Sequence, residues 1–244
     1  RKRRQRVADL AQKHEAAGYR TVHAAMVTAG ETVKHKTVLR IWQEDGHARR
    51  VKPVKRKVPG AINPAWPLAV PEAKNDVWAL DFVHDSTEDN RPFRTLSVLD
   101  LYTRQCVTLS PARSIGHLRL IDELTLAIRT LGKPKAIRMD NGPEFIATGF
   151  TDWLELMGIE DQFIAPGSPW QNGHIESFNG TLRHGLLNRV MFTDLAHARA
   201  SCSQFQSYYN AERPHSSLGG LTPDDYARTI VSPESPTALQ TSAA

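Results

Sequence analysis

The feature that most restricts this chain is the segment from Val77 to Val83, which reads VWALDFV and is apolar at every position but one. Such a run lacks the polar–apolar alternation of a strand with one wet face. It fits a strand covered on both sides, in the middle of a sheet with helices packed above and below. The exception is Asp81, and a charge in that setting is costly unless it is paired, hydrogen-bonded or bound to a metal. One segment thus predicts a layered α/β architecture and a place within it to look for chemistry.

The sequence that follows supplies the layers. Arg94–Leu101 and Gln105–Leu109 read as two more strands, joined by a turn at Tyr102–Arg104. Ser114 is placed to cap a helix with Leu118, Ile121, Leu124, Ile128 and Leu131 on its apolar side, stopped by Gly132 and Pro134. A short strand at 136–139, a helix at 143–157 and a strand at 159–164 come next. A Pro/Gly/Ser loop and helices at 173–187 and 195–210 complete the pattern of a mixed sheet flanked by helices. The tail 231–244, rich in Ser, Pro, Thr and Ala, has the composition of a disordered segment.

Two further carboxylates stand out. Asp140 falls just past a strand and precedes Asn141-Gly142-Pro143, a turn signal that aims it off the sheet edge, where open α/β sheets place their sites. Glu176 lies in the first turn of the helix that begins near Gly173. Ile175, Phe178, Leu182 and Leu186 take the core side of that helix, while Glu176, Asn179, Gly180 and Arg183 share the opposite stripe. Each acid alone has an ordinary explanation: an Asp after a strand caps a turn, and a Glu in a first turn answers the helix dipole. Together, three acids from three elements can hold two Mg²⁺ ions, which prefer oxygen ligands and keep waters and phosphate oxygens as the remainder. Two ions about 4 Å apart would stabilise both the attacking and the leaving oxygen of a phosphoryl displacement. Asp81 is the natural bridge, with Asp140 and Glu176 completing one ion each. Asp85, Glu88 and Asp89 sit in a loop, Asp100 is placed to cap the hairpin, and Glu144 is a reserve ligand.

Charge is unevenly distributed. Residues 1–60 hold sixteen Lys/Arg against five Asp/Glu, while the remainder holds fifteen against twenty-one. A basic arm on an acidic body points to a polyanion-binding module joined to something that needs carboxylates. Residues 1–48 read as three short helices, with Val7, Leu10, Ala11 and His14 on the first, Val22, Ala25 and Met26 on the second, and Val38, Ile41 and Trp42 on the third. Gly18, Gly30 and Gly46 end them, a helix-turn-helix-like pattern. Lys34, Lys36 and Arg40 lie at or near the start of the third helix, the part that enters a DNA groove in such modules. Residues 49–72 form a basic, Pro-rich linker opening with Arg49 and Arg50, fit to follow a phosphate backbone or to act as a tether. Trp170 can stack on a base, and Asn172 can orient DNA or cap a turn. No apolar run is long enough to span a membrane, and two cysteines, Cys106 and Cys202, fit a reducing cytoplasm. The chain starts at Arg1 with no apolar leader, which points to a fragment or a processed start and gives no hint of export.

Three strings carry a family resemblance: 77–84 (VWALDFVH), 137–145 (IRMDNGPEF) and 168–183 (SPWQNGHIESFNGTLR). They resemble the motifs of the insertion-sequence "three" family, bacterial transposases with an integrase-like catalytic core. Thirty-five residues separate Asp140 from Glu176, the spacing that this family shares with retroviral integrases, and Arg183 falls where the family carries a basic residue that engages DNA. Residues 208–226 resemble the family's C-terminal signature and residues 18–46 its upstream helix-turn-helix segment; the likeness runs from about Gly18 to Ala227. The resemblance implies a ribonuclease-H-like fold and Asp81, Asp140 and Glu176 as catalytic metal ligands. It implies Mg²⁺ dependence with Mn²⁺ as a substitute, and action on double-stranded DNA at terminal inverted repeats. Hydrolysis at an element end frees a 3′-hydroxyl that attacks another phosphodiester, within a homo-oligomer bound to paired ends in the bacterial cytoplasm. It further implies an upstream DNA-binding module, fused by frameshifting, that this chain lacks. Met139 stands where the family commonly has a small polar residue, and no His-His-Cys-Cys zinc arrangement is present. Two other readings stay open: a nuclease on the same fold that cuts without joining, and a DNA-binding relic without chemistry.

Overall fold

A computed structural model of the chain describes residues 2–14, 18–47, 68, 70–165 and 169–231. Most of the linker 49–72, with Arg49 and Arg50, lies outside the described residues, as do the loop 166–168, the side chain of Trp170 and the tail beyond 231.

Five strands form one mixed sheet in the order β3-β2-β1-β4-β5. The central strand β1 (Val77–Ser86) is antiparallel to β2 (Pro92–Asp100), which is antiparallel to β3 (Cys106–Ala112). On its other side β1 runs parallel to β4 (Ala136–Met139), and β4 parallel to β5 (Glu160–Phe163). The architecture is ribonuclease-H-like, as the sequence pattern and the resemblance predict. The alternation of β1 divides the interior. Trp78 and Leu80 join one core with α4 (His117–Leu131) and α5 (Thr148–Met157). Val77, Ala79 and Val83 join the other with α6 (Gly173–Leu182) and α7 (Leu195–Ala211). Fully burying a side chain such as Leu80 or Phe178 is worth roughly 1.5–3 kcal/mol, so both faces of this strand are held by the hydrophobic effect.

Several boundaries differ from expectation. β1 runs to Ser86 rather than ending at Val83, because β2 pairs with it along its whole length, out to Pro92. α4 starts at His117 behind Gly116, not behind Ser114. Its buried face is Leu120, Leu124 and Ala127, and Leu118 points to solvent at 70% exposure. Residues 143–147 are turns, and α5 begins only at Thr148. β5 is the shorter span Glu160–Phe163. The helix expected to run to Leu187 loosens at Arg183–Leu187 into a π-helical turn, a geometry found often at functional sites. A last helix, α8 (Pro223–Val231), starts at Thr222, whose hydroxyl accepts from the Asp225 backbone N–H.

The N-terminal helices are α1 (Lys2–Lys13), α2 (Tyr19–Thr28) and α3 (His35–Glu44). They close on a core of Val7, Leu10, Ala11, Val22, Met26, Val38, Ile41 and Trp42, the faces that their spacing predicted. Their end meets α7 and the turn after it. His14 Nδ1 lies 2.7 Å from the Tyr208 hydroxyl, and Lys13 pairs with Glu212 at 2.9 Å. Among the described residues no helix is long and apolar enough to cross a membrane.

Candidate active site

Strand parity decides where Asp81 points. Val77, Ala79 and Val83 face α6 and α7, so Asp81, two residues from its odd-numbered neighbours, faces the same way. The parallel register of β1 with β4 pairs Val77 with Ala136 and Ala79 with Arg138. Continued by two residues, it sets Asp140 beside Asp81 at the strand ends, on neighbouring strands about 4.8 Å apart. Asp140 is exposed, and its Oδ1 accepts from the Gly142 backbone N–H at 2.9 Å, the tight turn that the Asn-Gly-Pro sequence encodes.

The third carboxylate arrives through α6. Asn179 Nδ2 donates to Asp81 Oδ2 at 2.7 Å, tying the helix to the central strand. Glu176 lies three residues earlier on the same stripe and is exposed. The start of the helix is pinned as well: Asn172 is buried, and its Nδ2 donates to the Leu80 carbonyl at 3.4 Å. One turn further on, Arg183 Nη2 donates to the His84 carbonyl at 3.1 Å. Asn172, Asn179 and Arg183 thus tie the start, middle and end of α6 to β1, at Leu80, Asp81 and His84.

The electrostatics agree. Burial is the main cause holding the Asp81 carboxyl above its ordinary range. The Phe82 N–H, which donates to Oδ1 at 2.7 Å, opposes this, the Asp140 charge adds to it, Asn179 opposes it, and Glu176 adds to it. The three acids therefore feel one another. His174, on the far side of α6, is held below its ordinary value by burial first and then by Arg104 and Arg138.

An oxygen-only donor set under mutual repulsion is the chemistry that a hard divalent cation relieves. As placed, the three side chains do not close into a cage: among the described residues no group of three or more His, Cys, Asp or Glu stands ready to hold a metal ion. Glu176 is on an exposed helix face, so rotation of its side chain is the movement available to close the set. Glu144 is engaged elsewhere. It pairs with Arg94, which also donates to the Ile115 carbonyl and lies 4.6 Å over the Phe82 ring.

Of the remaining sequence candidates, Lys34, Lys36 and Arg40 are exposed at the start of α3, and Arg40 pairs with Glu44 at 3.1 Å. Asp100 caps the β2–β3 turn, accepting from the backbone N–H groups of Tyr102 and Thr103. Asn141 closes its loop by donating to the Ile164 carbonyl at 3.0 Å. Sequence reasoning placed Asn179 on the acidic stripe without giving it a role. Its offset of three from Glu176 was the available signal, and only the fold shows that the stripe meets Asp81. The Arg94–Glu144 pair joins residues fifty apart and had no local signal.

Two family models described as an integrase core domain match residues 71–169 and 157–223. The uncharacterized 31.7 kDa protein of insertion element IS407 from Burkholderia multivorans is 37% identical over 236 residues, covering 96% of this chain and 84% of that protein. The 39.2 kDa protein of IS476 from Xanthomonas euvesicatoria is 36% identical, covering 91% of this chain and 63% of that protein. The transposase for IS904 from Lactococcus lactis is 25% identical, covering 70% and 67%. Among solved structures, the HTLV-2 integrase catalytic core domain in complex with magnesium matches with a TM-score of 0.52 at 19% identity, covering 64% of this chain and 98% of that one. The simian T-cell lymphotropic virus intasome matches with a TM-score of 0.59 at 20% identity, covering 98% and 80%.

Proposed function

We infer the function from one premise: the chain belongs to the insertion-sequence "three" family of transposases, built on an integrase core. It acts in DNA transposition and integration, and its core is that of a DNA-cleaving polynucleotidyl transferase. We propose that Asp81, Asp140 and Glu176 are its catalytic carboxylates and that it cleaves and joins strands at the terminal inverted repeats of its element. The observation supporting this is the convergence of the elements that bear the acids. The β1–β4 register brings Asp140 to Asp81, and the Asn179–Asp81 bond brings in the helix that bears Glu176.

Two Mg²⁺ ions, or Mn²⁺ in their place, supply when bound the positive charge that stabilises both oxygens of an in-line displacement at phosphorus. Support for a divalent ion comes from the donor set and from the magnesium complex of the structurally similar HTLV-2 core. The protein's own groups hold and aim the acids. The Phe82 N–H and Asn179 amide fix the two Asp81 oxygens and leave lone pairs free, and the Gly142 N–H fixes Asp140. In the first step water attacks an end phosphodiester and the 3′ oxygen leaves with a proton. In the second that 3′-hydroxyl attacks another phosphodiester, and one P–O bond forms as one breaks, so no further energy source is needed. Lys34, Lys36 and Arg40, with Arg49, Arg50, Trp170 and Arg183, are the proposed DNA contacts; Asn172, read from the sequence as one, is buried and bonded to the Leu80 carbonyl, so its role is to hold the helix start. The N-terminal helices act as the DNA-binding module, and a homo-oligomer holds paired ends, as the simian viral intasome suggests by analogy. The upstream module added by frameshifting is part of this reading.

A labelled duplex carrying an element end, incubated with protein and Mg²⁺, tests the proposal. Joined strands are expected, and Asp81→Asn should lose cleavage and joining while still binding DNA. Cleavage without joining would favour a nuclease, and full strand transfer by the variant would remove Asp81 from the site.

A further inference from the structure

On the opposite side of α6 from the carboxylates lies a cavity of about 290 Å³. The helix explains the separation: Glu176, Asn179 and Arg183 share one stripe, while His174, Ser177 and Thr181 share another roughly half a turn away. Tyr209 of α7 and the segment after it close the far wall, and the β2–β3 turn contributes Arg104. No carboxylate lines this space, yet two guanidiniums do, those of Arg104 and Arg213.

The arrangement at Arg104 is costly in two independent ways. Its backbone sits at a φ of +63°, the left-handed region that favours Gly or Asn, so an arginine is strained there. Its Nη1 is buried without a hydrogen-bond partner, although buried donors in folded proteins are nearly always paired. Arg213 is steered toward the same space. Its guanidinium lies 5.8 Å from the Tyr209 ring centre, and Nη1 lies 3.4 Å from His215 Nε2. Burial, reinforced by the Arg213 charge, pushes His215 down to about 3, so it stays neutral and accepts from Arg213 rather than repelling it. A group bringing negative charge and several acceptor oxygens would offset the like charges of Arg104 and Arg213 that line the cavity. Guanidinium forks from two walls and the hydroxyls of Ser177 and Ser217 suit a tetrahedral oxyanion. The volume, at the lower end of ligand cavities, suits a single such group with its waters.

We propose that the cavity between α6, α7 and the Arg104 turn is a phosphate-binding site, occupied by a backbone phosphodiester of DNA or by free phosphate. The site is separate from the carboxylates and does not depend on their role.

Inorganic phosphate titrated into the protein in EDTA, at constant ionic strength against chloride, is the test, read by calorimetry or phosphorus NMR. Saturable one-to-one binding is expected. Arg104→Gln and Arg213→Gln should each weaken it at least tenfold. Arg104→Gly should abolish it while its thermal midpoint stays at or above that of the parent, because glycine relaxes the left-handed turn; this separates a lost site from a lost fold. A short duplex distinguishes the sources. Displacement of phosphate by the duplex, with weaker duplex binding by Arg104→Gly, identifies the backbone phosphodiester as occupant; retention of phosphate beside bound duplex identifies the free anion. Absence of saturable phosphate binding, or unchanged phosphate binding by the arginine variants, overturns the proposal. Because the assay contains no divalent metal, a failure of the carboxylate reading would appear only in the strand-joining assay, as absent joining or as full joining by Asp81→Asn, with phosphate binding intact.

Discussion

Replacing Asp81 by Asn should stabilise the fold while removing the activity. The side chain holds two hydrogen bonds, from the Phe82 N–H and from Asn179 Nδ2, each at 2.7 Å. A bond to a charged group contributes about 1.5–3 kcal/mol and a neutral one about 1, so neutralising the acceptor costs about 1–4 kcal/mol for the pair. Against that stand the burial of a charge and the repulsion from Asp140 and Glu176, which together already outweigh the bonds, since the Asp81 carboxyl is held above its ordinary range. An amide flip of Asn179 lets its Oδ1 accept from the new side chain; this preserves that neutral bond and moves the unpaired buried position from Oδ1 to Nδ2, so it adds no further gain. The expected net gain is about 1 kcal/mol at neutral pH, or roughly 2–4 °C for a chain of this size. The sign with pH follows from linkage. The folded state binds the Asp81 proton more tightly than the unfolded state, so the parent is favoured at acid pH and loses that stability as pH rises through the raised folded value. The variant lacks this loss, so the gap opens from acid to neutral pH. Thermal unfolding in EDTA across that range measures it. Added Mg²⁺ at ten times its dissociation constant should then return about 1.4 kcal/mol to the parent alone and reverse the order. A variant less stable than the parent in EDTA at neutral pH, or a gap that ignores pH, would refute the reasoning.

Three further outcomes are expected. Asn179→Ala should lower metal-dependent strand joining about 10–100-fold, as loss of a group that orients a ligand does, and raise the Mg²⁺ needed for half activity; an unchanged metal requirement counts against its positioning role. Arg94→Ala strands Glu144 and uncovers the Phe82 ring, so chemical denaturation should show a loss of about 2–3 kcal/mol, discounted from the 3–5 of a fully buried pair because both groups keep some exposure. Replacing Lys34 and Lys36 by Ala should reduce the slope of log affinity for duplex DNA against log salt by about 1–2, and an unchanged slope would remove α3 from the phosphate contacts.

What was legible in the sequence follows its physics. β1 declared itself because one strand buried on both faces must be apolar throughout, which made Asp81 conspicuous. The helical module was legible to the residue: Val7, Val22, Met26 and Val38 repeat at helical spacing and are fully buried. The errors fall where a distant partner overrides a local signal. Ser114 is a good cap, but Ile115 is drawn fully into the core and its carbonyl accepts from Arg94, so α4 cannot start until Gly116. Residues 143–147 have helical composition, but Glu144 pairs with Arg94 and Phe145 stacks on Phe82 at 5.2 Å, and both hold the segment as turns. The three acids were legible as separate residues; the approach of the strand ends that bear Asp81 and Asp140 depends on a parallel pairing between strands some sixty residues apart, which no local spacing encodes.

The alternation of β1 also limits how such a chain can vary. Inserting or deleting one residue between Val77 and Asp81 would swap odd for even, turning the acid toward α4 and α5 and presenting Phe82 on the side that α6 covers. The residues beyond the change exchange layers with the acid, so Val83 would leave the core that it shares with Val77 and Ala79. Length changes in this molecule are therefore better accommodated in the connections beyond the strand ends than inside the strand, where one residue disturbs both packed layers and the proposed site together.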